Sequence, residues 1–196
     1  MASRTSYRYA LHPVLATFYS RWSALAGAGL PLPTPAQSLS RQPTALMFYS
    51  EMPPFPEQPD EINRQILGPL LPVFYWDAPS AVPLGVLWFK TNLTDEEVIS
   101  LLVAEWLRTI LLINEPVLAE MGRMVFAHIL TAQQCQRHFG AKKLSQRVWG
   151  QITDLSREQL AHAAATINHR LKACERDEAK LADDDSRLNF FKERYG

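Results

Sequence analysis

The chain has 196 residues, 47% of them hydrophobic, so it carries enough apolar surface for a folded core and wholesale disorder is excluded. Its 20 basic and 20 acidic residues cancel overall but segregate as +4 over residues 1–50, −8 over 51–120 and +4 over 121–196, an arrangement that favours the two ends lying against the acidic middle. The longest apolar run, Val98 to Ile113, is interrupted by Ser100, Glu105, Arg108 and Thr109 and is too short for a bilayer, so no membrane partner is expected, while two cysteines, Cys135 and Cys174, are too few for a disulfide framework or a four-ligand zinc site.

The first 50 residues hold four arginines and no acid. Arg8 and His12 interrupt the apolar stretch that a secretory leader needs, so residues 1–43 read as an N-terminal arm of a cytoplasmic protein. Its Tyr7, Tyr9, Leu11, Val14, Leu15, Phe18, Tyr19 and Trp22 require a partner surface, which places the arm on the rest of the fold.

Twelve of the fourteen prolines fall between Pro31 and Pro83, which excludes long helices there. Three runs rich in aromatic and β-branched residues, Thr44 to Ser50, Val73 to Asp77 and Gly85 to Lys90, read as strands of an antiparallel sheet. Pro59 to Leu67 reads as a short helix with Asp60, Glu61 and Arg64 on its wet side.

After Lys90 the pattern becomes helical. Thr94 and Glu97 form a capping box, so a helix begins at Asp95 and runs to Ile113, apolar on most sides. Asn114-Glu115-Pro116 ends it and starts another. Leu118, Met121, Val125, His128, Ala132, Cys135 and Phe139 draw one stripe down a helix over 117–139. A shorter helix covers Lys142 to Ile152, and a long one opens at Ser156 with Gln159, carrying Leu160, Ala164, Ile167, Leu171 and Cys174 on one side. Asp183-Asp184-Asp185 breaks that helix before a last element, Leu188 to Tyr195. The fold class expected is α+β: a small aromatic-rich antiparallel sheet at about residues 44–91, then a cluster of four or more helices over 94–196. Residues 44–196 form one domain, and the arm packs on it.

No phosphate-cradling glycine loop, Walker lysine, zincin pair or nucleophile elbow is present, and no catalytic residue, cofactor or metal ligand is assigned. His128, Cys135 and His138 resemble half of a zinc site, and the bland reading, a core histidine and a core thiol, is preferred. Thr131 to Trp149 has the outline of a helix-turn-helix, with Gly140 in the turn, Arg137 on the backbone, and Lys142, Lys143, Gln146 and Arg147 on a second helix suited to phosphate and guanine contacts. Trp76 and Trp88 in the strands, and His162, His169 and Arg176 recurring every seven residues on the wet side of the long helix, are candidates for contact with a protein partner. The function expected is a non-enzymatic cytoplasmic interaction or regulatory protein, a subunit of a larger assembly whose partner is an unknown protein. The alternatives are a DNA-binding regulator acting through 131–149, and a small metal-dependent hydrolase or nuclease.

Overall fold

The computed structural model describes residues 7–30, 44–53, 62–71, 73 and 85–195. In chain order they form β1 (Tyr7–Leu11), α1 (Pro13–Gly27), β2 (Thr44–Met52), β3 (Ile62–Gly68), β4 (Gly85–Lys90), α2 (Asp95–Ile113), α3 (Pro116–Ile129), α4 (Ala132–Phe139), α5 (Gln146–Thr153) and α6 (Arg157–Tyr195). The fold is α+β, with a four-stranded sheet of order β1-β3-β2-β4 and a helical cluster. The sheet is mixed. Among the described strands only β2 and β3 pair antiparallel, while β1 on β3 and β4 on β2 are parallel. Parallel neighbours need a crossover rather than a hairpin, and α1 lies between β1 and the rest of the sheet in the chain.

One expected element differs in kind. The segment read as a helix at Pro59 to Leu67 holds all but the last residue of β3, the strand that pairs with a neighbour on each side. Ladder pairing on both edges outweighs a weak helical periodicity over so few residues. The strand expected at Val73 to Asp77 lies outside the described residues, save Val73 in a short 3-10 turn.

The arm contributes to the core. His12 opens α1, its Nδ1 accepting from the Val14 amide at 3.4 Å, and its own amide donates to the Ile66 carbonyl of β3 at 2.9 Å. Leu15, Phe18, Trp22 and Leu25 recur at helical spacing and are buried. Phe18 and Trp22 meet Trp106 of α2 at ring-centre distances of 4.9 Å and 4.1 Å, and Phe18 meets Phe126 of α3 at 5.4 Å. This aromatic contact joins three helices at the centre of the molecule.

The capping box at Thr94 forms as its sequence dictates, with the Glu97 amide donating to Thr94 Oγ1 and the Thr94 amide donating to Glu97 Oε2. The threonine bonds hold the Glu97 carboxyl below its ordinary value. Asn114, left-handed at φ 48°, ends α2, and both carboxylate oxygens of Glu115 then accept from the first amides of α3. The expected single helix over 117–139 is two helices. Thr131 and Gln134 exchange a reciprocal pair of caps that restarts the chain, so the stripe continues through α3 and α4 with a bend between them. Cys135 is buried on it, whereas His128 is exposed, which corrects the expectation of a core histidine. The helix expected from Lys142 begins four residues later, because Ser145 Oγ accepts from the Val148 amide and fixes Gln146 as the first helical residue.

Ser156 and Gln159 cap the last helix reciprocally. Its 39 residues run through Asp183-Asp184-Asp185 without the expected break, since no proline or glycine interrupts them and side chains one or two residues apart on a helix do not face each other. Arg170 donates to the Gly29 carbonyl at the end of α1.

Candidate functional site

Side chains of a strand alternate between two faces, and partners in a parallel pair point the same way. Leu46 is registered with Leu87, Met47 with Trp88 and Phe48 with Phe89. Leu46, Phe48, Leu87 and Phe89 therefore collect on one face, and Met47, Tyr49, Val86 and Trp88 on the other. The second face is covered: Met47 is fully buried and Tyr49 nearly so. The first is not, for Leu46, Leu87 and Phe89 keep 48%, 53% and 48% of their surface in contact with solvent. The Phe48 and Phe89 rings lie 6.3 Å apart on it. Phe48 also borders a groove of about 400 Å³ with Thr91, Leu93, Glu97, Ser100 and Leu101, so the apolar face continues towards α2. Among the described residues no strand pairs with the outer side of β4.

Trp88, a candidate for partner contact, is half-buried on the covered face. It stacks on Tyr9 with ring centres 5.1 Å apart and meets Tyr49 edge-on at 6.1 Å, while the Arg64 guanidinium sits 4.4 Å above Tyr49. Trp76 lies outside the described residues. His162, His169 and Arg176 are exposed on α6, as their spacing implies.

The helix-turn-helix residues divide. Gly140 is left-handed at φ 70°, as the turn needs. Arg137 reaches back to α2, its Nη1 lying 2.5 Å from Glu96 Oε2. Lys142 and Lys143 are exposed but stand in the connection before α5, not on a helix. Gln146 faces inward, donating to Glu120 Oε1 at 3.2 Å and to the Leu160 carbonyl at 3.3 Å. Arg147 is exposed on α5. The Gln146 contacts belong to a buried polar network. Glu120, fully buried, accepts from Arg123 Nε and Nη2 at 2.8 and 2.7 Å, and Arg123 Nη1 donates to the Leu144 carbonyl. Trp149 adds a bond from its indole nitrogen to the Ala119 carbonyl at 2.8 Å. A bidentate pair of this kind fixes the position of the α4–α5 turn on α3.

A second carboxylate belongs to Glu105, the one acid within the apolar part of α2. Glu105 accepts from the amides of Leu70 and Leu71, both at 2.7 Å, just after the cis Gly68-Pro69 bond. Burial pushes its carboxyl up to about 7, against the pull of those two amide bonds. The apolar face itself was hidden by apolar residues at both parities of β2 and β4, which period-two reading cannot sort without the register.

Among the described residues no group of three or more His, Cys, Asp or Glu could hold a metal ion, and His128, Cys135 and His138 do not converge. Nor is any described helix long and apolar enough to cross a membrane. No family model, curated protein or solved structure matches the chain.

Proposed function

We propose that the chain is a non-enzymatic interaction protein of the cytoplasm, a subunit or regulator that binds a protein partner through the open face of its sheet along β2 and β4. The observation that carries this reading is the gathering of Leu46, Phe48, Leu87 and Phe89 on one face, three of them about half exposed, beside a strand whose outer edge pairs with no described strand. Apolar side chains grouped in this way raise the free energy of the isolated chain, and covering them releases it. An extended segment of a partner with apolar side chains at alternate positions fits both needs, because its backbone adds to the β4 edge while its side chains meet Leu87 and Phe89.

The test is photo-crosslinking in host cells with a reactive side chain placed at position 87, compared with one at position 172 on the exposed side of α6. The expected outcome is a discrete adduct from position 87 that Phe89→Asp reduces about tenfold, equivalent to about 1.4 kcal/mol of binding, with an unchanged melting temperature. Absence of an adduct at 87, or the same adduct from both positions, rejects the reading.

A further inference from the structure

Between Glu120 and Asp154 the chain has no acidic residue and five bases, Arg123, Arg137, Lys142, Lys143 and Arg147. Two of the five have a carboxylate partner, Arg123 the buried Glu120 and Arg137 the half-exposed Glu96 on the surface. Lys142, Lys143 and Arg147 are exposed, with no ion pair to any described residue. The Glu120–Arg123 pair holds this turn on α3 through the Leu144 carbonyl, so the three charges sit on a fixed support. Lys142 also borders a groove of about 490 Å³ with Ala132, Gln133, Gln136 and Arg137, where the two side-chain amides and the Lys142 ammonium are donors for phosphate oxygens.

The same surface tells which polyanion it suits. A single strand is held by stacking its bases on exposed rings. Here Phe139 is packed against Phe126 and Trp149 at 6.0 and 5.7 Å, Trp149 is fully buried, and none of the large exposed apolar side chains lies between residues 120 and 154. Reading base edges needs a row of polar side chains on one helix. With Gln146 turned inward, α5 offers only Arg147 and Gln151, and α4 adds only Gln133 and Gln136, since Arg137 is taken by Glu96.

We propose that the α4–α5 turn docks on the sugar-phosphate backbone of a nucleic acid duplex, without regard to base sequence, through Lys142, Lys143 and Arg147, and that Glu96 withholds Arg137 from that contact. The surface is separate from the apolar sheet face, and its test does not depend on that reading.

The experiment is fluorescence anisotropy of the full chain with a labelled DNA duplex of about 20 base pairs, titrated at salt concentrations from about 50 to about 200 mM. Three phosphate contacts give a slope of log K against log salt of about −2.7, or about a 40-fold loss of affinity across that range. Lys142→Ala with Lys143→Ala and Arg147→Ala, all exposed positions, is expected to remove the salt-dependent binding with an unchanged melting temperature. Glu96→Gln frees Arg137 and is expected to steepen the slope to about −3.6, or about a 150-fold loss. Absence of salt-dependent binding by the wild-type chain, wild-type binding by the triple variant, or equal affinity for heparin and duplex overturns the duplex assignment. So does a tighter complex with the single strand of the same length. An unchanged slope in Glu96→Gln overturns the role given to Glu96.

Discussion

Glu105 shows how one side chain can tie a loop to a helix and leave a pH signature. Its two oxygens hold the Leu70 and Leu71 amides, and burial raises its carboxyl from the ordinary value to about 7. A carboxyl whose folded value is raised binds its proton more tightly in the native state, so its contribution to stability is fully present below about pH 4.5 and is lost as pH rises through about 7. Urea denaturation across pH 5 to 8 is expected to show that decline, and Glu105→Gln to flatten it. Because a glutamine amide can accept only one of the two donors, the variant is also expected to be less stable at pH 5 by about 1 to 3 kcal/mol. A wild-type profile that rises over the same interval would contradict the assignment. Single residues were unevenly legible in the sequence. Thr94 with Glu97, and Ser156 with Gln159, announce caps because the motif is local. Glu105 was opaque, since its partners Leu70 and Leu71 lie across the fold, and of the partners of Glu120 only Arg123 is near in sequence while Gln146 is distant.

At the level of elements, the close approaches are made by two glycines of different kinds. A Cβ on Gly122 of α3 would come within 2.5 Å of Ile110 Cδ1, the movable end of a side chain. One on Gly150 of α5 would come within 2.6 Å of the Leu155 carbonyl oxygen, which the chain reversal between α5 and α6 fixes. Alanine gains about 1 kcal/mol of helix propensity at either site. Gly122→Ala is therefore expected to be nearly neutral and Gly150→Ala to lose about 1 to 3 kcal/mol, as thermal melts of the two variants would show. Helix starts were read well at the caps of Thr94 and Ser156, and α2 begins and ends where its capping residues stand, but the caps at Thr131 and Ser145 were passed over. The misread elements share another cause. The β3 segment has no alternation strong enough to mark a strand, and its identity comes from β1 and β2, one of which lies about fifty residues upstream. The bend between α3 and α4 was masked by an apolar stripe that carries on across it.

For the molecule as a whole, α6 dominates the dimensions. Its 39 residues make a rod of about 58 Å, whereas a compact chain of 196 residues has a radius of gyration of about 16 Å and is about 40 Å across. Small-angle X-ray scattering is expected to give a radius of gyration above about 16 Å and a longest dimension beyond about 58 Å, and a globular profile would exclude an unbroken helix. The α+β class was legible from the contrast between a proline-rich, aromatic first half and a capped, helical second half. Strand pairing was not, because composition carries no register. The candidate surfaces divide in the same way: the bases of the α4–α5 turn could be read from residue type, and the open sheet face emerged only once Leu46 was aligned with Leu87. That sheet order also governs how the protein comes off the ribosome. The two inner strands, β2 and β3, are neighbours in the chain, but β1 is made first and must wait for β3 before it has anything to bond to. Even after β3 is made the growing polypeptide carries Phe18 and Trp22 without Trp106, which arrives only with α2, so the stretch of translation between these residues is when a chaperone has most to hold.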